Sequence, residues 1–416
     1  RVNTNLQKIE AVTAADIQRV AKQYLDLSKA NILRVKPDMK ALLAGPATLP
    51  AADASAKANR NVEPRKVTFP RDWPANAPIN NDTIKPRFEK GVETALGKSR
   101  VIVMQDSRLP LVTWNLTMRN GSHIDPAGKE GLGAMAASLA ERGAGDLKAA
   151  DWSRDLESRG ISINVQDGGD YTRISGSALV DQLEHAFLRT REQLLSPRFD
   201  AEEFEKLKIQ IRSGLRQTLE RPDAAASREL STALFGNSTL GKQPTPESVE
   251  AITLDDITSY YRQVYRPEDA ILVIAGDITP QRGQELARKL LDGWAPRGEP
   301  APKASYDLPT PQAKRRVIVI DRPEGKQSMI RMAARAYPLS DDAKFAGSVL
   351  DRILSHGIES RLGKAVRAEK GLAYSVWGMF RPARQAGEFS GGTETKFATT
   401  AEAIQTMFKV FADVRD

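Results

Sequence analysis

The amino-acid sequence predicts an α+β fold of repeated subdomains, each an antiparallel sheet covered by helices on one side. Three observations lead there. Short alternating apolar runs come in pairs and are followed by segments of helical period. A nine-residue stretch near the start recurs 240 residues later. Two breaks rich in proline, at 39–86 and 296–313, divide the chain.

With 416 residues the chain has material for two or three domains. Residues 1–38 read as the tail of a preceding similar domain. Within it, 5–26 spaces Leu6, Ile9, Val12, Ile17, Val20 and Leu25 for one helix face. Thr13, with Asp16 three residues later, caps a second piece of that helix. ANILRVKPD then reads as a short strand ending at Pro37. IEAVTAADI (9–17) aligns without a gap on VEAITLDDI (249–257), with five of nine positions identical and two more exchanging Ile and Val. Each copy leads through a helix to an apolar strand, ANILRV (30–35) and AILVIAGD (270–277). Two unrelated helix–strand junctions are the plainer alternative, but the matched register and shared strand favour a repeated unit.

Residues 39–86, rich in Ala, Pro and Asn without periodicity, form a linker. Residues 87–295 form a first subdomain. In it RVIVMQ (100–105), LVTWNLTMR (111–119), ISINVQ (161–166) and TRISGSAL (172–179) read as strands. Residues 131–142, 151–158, 183–195 and 202–221 read as helices, the last ended by Pro222. The second linker, 296–313, clusters Pro296, Pro300, Pro302, Pro309 and Pro311. Residues 314–416 form a second subdomain. RVIVID (316–321), SMIRMAARA (328–336) and LAYSVWGMF (372–380) read as strands there, with helices at 341–355, 360–371 and 400–414. Gly371 closes the middle helix. The segment reads as an unfinished copy of the plan before it.

Composition narrows the function classes. Apolar residues are 40% and charged residues 27%, ordinary for a globular protein. No apolar run reaches the roughly 18 residues of a membrane span, and the first residues carry no secretory signal core. The net charge of +8 is spread along the chain, its densest cluster being Lys314, Arg315 and Arg316. No nucleic-acid-binding signature accompanies it, so no nucleic acid is expected as partner. The absence of cysteine excludes disulfides, iron–sulfur clusters and thiol catalysis, and leaves the compartment open.

Three segments carry a family resemblance. NGSHIDPAGKEGLGAMAASLAERGAG (120–145) resembles the segment of pitrilysin/insulinase-type zinc peptidases that holds the inverted zinc motif. SRLGKAVRAEKGLAYSVWG (360–378) resembles the family's helix–strand turn in the second half of a domain, and the 9–35 and 249–277 repeats resemble its subdomain-ending helix and strand. The resemblance implies a clamshell half of the metallohydrolase kind. In H-x-x-E-H, two imidazoles at i and i+4 ligate zinc and the glutamate acts as general base on the metal-bound water. Here the His positions map to Ala134 and Ser138 and the Glu to Ala137. The later helix offers Ile211, Arg212, Ser213 and Gly214 where a third, acidic ligand is due. The three histidines, His123, His185 and His356, lack ligand spacing, and Glu130 and Glu141 read as solvated helix positions. No metal or cofactor is therefore expected in this chain. The resemblance places zinc in a catalytic partner half, on the same polypeptide or a separate subunit.

In this family the opposite half is implied to supply an arginine and a tyrosine, and their spacing matches Arg367 and Tyr374. Arg367 falls in the last turn of a helix and Tyr374 begins the next strand, with Gly371 bending the chain between them. Together they would stabilise the oxyanion of peptide hydrolysis. On spacing alone, helix-dipole complementation by Arg367 and ordinary strand packing by Tyr374 remain equal readings. ISINVQ resembles the family's edge strand, which pairs with substrate in catalytic halves; here it reads as chamber lining or a plain sheet strand.

The resemblance thus implies the non-catalytic half of a zinc metalloendopeptidase acting on peptides in a closed chamber, and similar two-part proteins imply the bacterial periplasm. Two alternatives differ in class. One is a structural or assembly subunit without proteolysis, as the core subunits of the respiratory cytochrome complex show the family permits. The other is a peptide-binding module without hydrolysis.

Overall fold

The computed structural model describes residues 11–24, 90–268, 270–304, 306–310, 315–322 and 325–415. The expected strand at 30–35 and linker at 39–86 lie outside them. The chain divides into two compact units, Arg1–Lys85 and Pro86–Asp416.

The first unit contributes helix α1 (Ala14–Tyr24). Thr13 caps it as the sequence predicts. Its backbone N–H and hydroxyl both donate to Asp16 Oδ2, at 3.1 and 2.6 Å, and the Asp16 N–H donates back to the Thr13 hydroxyl at 3.2 Å. The second copy of the repeat carries the same device. Thr253 donates twice to Asp256 Oδ2, at 2.8 and 2.7 Å, and receives the Asp256 N–H at 3.2 Å. Two orphan donors at a helix start are thereby satisfied reciprocally in both copies.

The second unit begins with β1 (Val92–Leu96), β2 (Ser99–Gln105) and β3 (Leu111–Arg119). Then come α2 (Leu132–Ala140), the small hairpin β4 (Gly143–Ala144) and β5 (Leu147–Lys148), α3 (Ala149–Glu157), β6 (Ser162–Asp167) and β7 (Tyr171–Leu179). Helices α4 (Leu183–Leu195), α5 (Ala201–Glu220), α6 (Pro222–Phe235), α7 (Pro246–Glu250) and α8 (Leu254–Val264) precede β8 (Ile271–Gly276) and α9 (Pro280–Leu291). The main sheet runs β1-β2-β8-β3-β7-β6. One pair departs from the expected antiparallel pattern. β8 enters between β2 and β3, antiparallel to β3 and therefore parallel to β2.

Period-two burial explains β3. Val112, Trp114, Leu116 and Met118 are fully buried while the residues between them face outward. Trp114 lies opposite Gly176 of β7. A Cβ at Gly176 would collide with the indole and stand 2.6 Å from the Ser162 carbonyl oxygen. Gly176→Ala should therefore destabilise this subdomain by about 1–3 kcal/mol through overpacking, read as a lower urea midpoint. An unchanged midpoint would show that the indole can shift freely.

Pro222 does end α5, and it also starts α6, which the sequence reading lacks. Arg221 before it is extended, and proline at the first helical position forfeits no hydrogen bond.

The second sheet has three strands in the order β10-β11-β9: β9 (Gln327–Ala336), β10 (Val376–Arg381) and β11 (Gly387–Lys396). Helix α10 (Ala343–Ser355) and a π-helical turn (Gly363–Glu369) lie between β9 and β10, and α11 (Thr400–Arg415) follows β11. Ile330, Leu354, Leu362, Val366 and Met407 form a core separate from that of the first sheet. Residues 316–321 form no strand, against expectation. Alternation supplies a face, but a strand also needs a neighbour to accept its backbone, and none does among the described residues.

Candidate functional site

Helix α2 lies in the segment that resembles the zinc-motif helix. Its start is fixed by Asp125, whose carboxylate accepts the N–H of Gly131 at 2.8 Å and of Gly133 at 3.0 Å. Gly131 sits at φ 104°, a left-handed conformation that a side chain would strain. Burial pushes the Asp125 carboxyl up to about 7, against the pull of these N–H donors. Asp167 holds the adjoining turn by accepting the Ser122 N–H at 2.7 Å.

One helical turn apart on α2, Ala134 is exposed and Ser138 half-buried, while Ala137 is buried. Of the two ligand positions, Ala134 offers a methyl group without lone pairs and Ser138 a neutral hydroxyl in place of an imidazole. On α5, which packs against α2, Arg212 is bound to Glu250 at 2.6 Å and brings a cation rather than a ligand. These residues do not fit zinc. Among the described residues, no group of three or more His, Asp or Glu side chains is placed to hold a metal ion.

Each histidine has its own local partner. His123 Nδ1 lies 3.1 Å from the Tyr306 hydroxyl, and burial pushes its pKa down. His185 Nε2 lies 2.7 Å from Asp155, which Arg189 also binds. His356 lies against Arg352 on α10.

Glu141 corrects the expectation of a solvated position. It is half-buried, and its carboxylate accepts the Val165 N–H at 2.6 Å. Val165 belongs to β6, the outer strand of the sheet. The side chain thus takes an edge amide that an added peptide strand would use. The second sheet repeats the device at β10, where Asp351 accepts the Phe380 N–H at 2.8 Å and Ser355 donates to the Gly378 carbonyl at 2.9 Å. Glu141→Ala should leave the Val165 amide unpaired and cost about 1–3 kcal/mol. Faster hydrogen exchange at Val165 would show it; unchanged exchange would mean another group shields that edge. Glu130 stays local, accepting the Gly128 N–H at 3.1 Å.

Arg367 and Tyr374 are brought together. The guanidinium carbon stands 4.6 Å from the centre of the Tyr374 ring. Arg367 lies in the π-helical turn, which is closed by Gly371 at φ 60°. The Gly371 N–H donates to the Arg367 carbonyl at 3.1 Å and the Leu372 N–H to the Val366 carbonyl at 2.9 Å. This is a Schellman-like end widened by the extra residue of the π turn. The strand starts at Val376, so Tyr374 lies in the connection before it. Tyr374 is 83% exposed and Arg367 is exposed too. Neither side chain makes a hydrogen bond or ion pair among the described residues.

Comparison with known proteins bears on the family and the fold. Residues 251–416 match the family described as peptidase M16 inactive domain. A Helicobacter pylori protein called non-peptidase homolog YmxG is 26% identical over 317 residues, 75% of this chain and 72% of its own length. A Bacillus subtilis protein called uncharacterized zinc protease YmxG is 21% identical, covering 74% of each. Among solved structures, a peptidase M16 inactive domain from Pseudomonas fluorescens superposes with a TM-score of 0.71 at 21% identity, over 78% of this chain and 79% of that one. The periplasmic protease PqqL from Escherichia coli gives 0.64 at 14% identity, over 99% of this chain but 42% of its own. The fold and the lost ligand positions together define an inactive half of zinc-protease-like architecture. Over residues 251–416 the chain matches the inactive, C-terminal type of peptidase M16 domain.

Proposed function

We propose that this chain forms the non-catalytic wall of a peptide-degrading chamber and presents Arg367 and Tyr374 to a zinc site on a catalytic half. The observation that carries the reading is an exposed guanidinium stacked on an exposed phenol, with no other side-chain partner among the described residues. Such a contact is worth only about 0.5–1 kcal/mol to folding at an exposed site, so stability gives little reason to keep it. Facing the scissile carbonyl of a peptide held in the catalytic half, the two groups would donate to its developing oxyanion, a role worth roughly 3–4 kcal/mol per donor. The substrate is then a peptide gripped mainly by the catalytic half, because Glu141 already occupies the β6 edge. The zinc, its ligands and the general base all belong to that partner half, which remains part of the proposal.

The test mixes this chain with an H-x-x-E-H half and follows cleavage of a fluorogenic peptide. The reading expects turnover from the mixture, its loss with a chelator, and none from this chain alone. Chelator-sensitive turnover by this chain alone would sink it. A second reading, an assembly subunit without proteolysis, is favoured by the name of the Helicobacter relative, a non-peptidase homolog. It predicts a stable complex with the partner half and no cleavage in any mixture.

A further inference from the structure

The face of the second sheet turned away from α11 carries charge without partners. Phe389 of β11 meets Phe411 of α11, which fixes that side as the helix side. Strand alternation sends Glu388, Ser390 and Gly392 to the other. Register places Gly392 between Trp377 of β10 and Arg331 of β9, and Glu388 between Arg381 and Arg335. Gly392 leaves room for Arg331 to lie across it: a Cβ there would stand 2.8 Å from the guanidinium Nη1. Arg331 and Arg381 each hold their guanidinium carbon 5.5 Å from the centre of the Trp377 indole. One ring thus gathers two like charges.

No acid neutralises them among the described residues. Arg331 uses one donor on its own Ile330 carbonyl, at 3.1 Å, and the Arg381 side chain makes no hydrogen bond or ion pair. Asp223 of α6, an acid near Arg331, is bound instead to Arg221 at 2.7 Å. Glu388 stands in register between Arg381 and Arg335 and ion-pairs with neither. Burial pulls the Arg331 pKa down and Arg381 adds its repulsion, against the more distant pull of Asp223 and Glu394. Two further groups lack partners: Ser390 is 3% exposed, and its hydroxyl, like Arg335 Nη1, is buried without a hydrogen bond. Folded chains rarely leave such groups unsatisfied. Helix α6 packs against β9, where Arg331 is half-buried. On the outer strand β10, Trp377 is half-buried and Arg381 exposed, so the cluster is open from that side.

We infer that Arg331, Trp377 and Arg381 form a docking site for an acidic peptide segment, one that carries at least two closely spaced carboxylates. Each guanidinium offers a planar fork that a carboxylate fills with two parallel hydrogen bonds. In an extended peptide, residues i and i+2 face the same way about 7 Å apart, so a Glu-x-Glu segment meets both forks at once. Single-stranded nucleic acid is the poorer fit, because it stacks successive bases on several aromatic rings and this face offers one indole. That the occupant is a peptide rests on the chamber-wall reading; that it is acidic rests on the cluster alone.

The probe is an end-blocked, fluorescein-labelled oligoglutamate peptide, titrated into the full chain alone and followed by anisotropy. An oligoglutamine peptide of the same length and an oligothymidylate are run beside it. The expected result is saturable binding of the glutamate peptide and none of the glutamine peptide. Arg331→Gln and Arg381→Gln should each weaken binding by about tenfold or more. Arg381→Gln should do so at an unchanged urea midpoint, because that side chain is exposed. Lys303→Gln removes the same charge from an exposed position elsewhere and should leave binding as it is. An equal loss in Lys303→Gln would reduce the effect to general attraction by net charge and overturn the site. Absent binding, full binding in both arginine variants, equal affinity for the glutamine peptide or tighter binding of the oligothymidylate would each overturn it too. No zinc half is present in this titration, so its failure leaves the chamber-wall reading to be decided by turnover.

Discussion

Arg367→Ala should lower kcat of the reconstituted pair by about 10²–10³-fold while leaving the folding of this chain almost untouched. The separation follows from exposure. The guanidinium lies over one ring, that of Tyr374, and makes no ion pair among the described residues. Its removal therefore costs about 0.5–1 kcal/mol of stability at most. A donor aimed at the developing oxyanion acts in the transition state alone, so kcat and kcat/KM should fall together with KM little changed. Tyr374→Phe tests the second donor more gently, because it keeps the ring under the guanidinium and removes only the hydroxyl. Arg367→Lys keeps the charge but loses the planar fork and should fall between wild type and alanine. Full turnover in Arg367→Ala would remove the pair from the chemistry. A loss of rate matched by a loss of stability would make it structural instead.

The sequence was most legible where burial has a simple period. β3 alternates strictly and its bounds were readable to the residue, as were those of α4. Thr13 and Asp16 announced a cap that the structure shows twice. Legibility failed where the deciding partner is remote in sequence. RVIVID has the pattern of a strand, but a strand is a pairing, and β9 offers it no backbone. β11 failed for the opposite reason. GEFSGGTETK has almost no apolar alternation, yet it is the central strand of its sheet because Gly391 and Gly392 allow close approach on both sides. At the site, the missing zinc ligands were readable as residue types. The edge-blocking role of Glu141 was not, because its partner Val165 lies 24 residues away across a helix and a turn. Asp125 gave only a faint signal, an acid ahead of a glycine-rich helix start.

That carboxyl leads to the second large effect, an unusual response to pH. Two N–H donors at a helix start ordinarily pull a carboxyl down. Burial opposes them at Asp125 and wins, setting the group at about 7 against 3.8 in an open chain. Between those limits the folded state holds a proton that the unfolded chain has released, so stability declines as pH rises. The contribution is fully present below about 3.8 and is lost by the time the pH passes 7, up to about 4 kcal/mol in size. Ion-paired carboxylates such as Asp256, held down by Lys129 and Thr253, work the other way and weaken the fold on acidification. The Asp125 effect is therefore read as a difference. Asp125→Asn keeps one acceptor oxygen and leaves one of the Gly131 and Gly133 amides unpaired, a cost of about 1–3 kcal/mol that does not vary with pH. The stability gap between wild type and variant in urea should be widest near pH 4 and close as the pH climbs through 7. A gap that is flat, or that widens toward alkaline pH, would mean the N–H donors overcome burial and the carboxylate is ionised throughout.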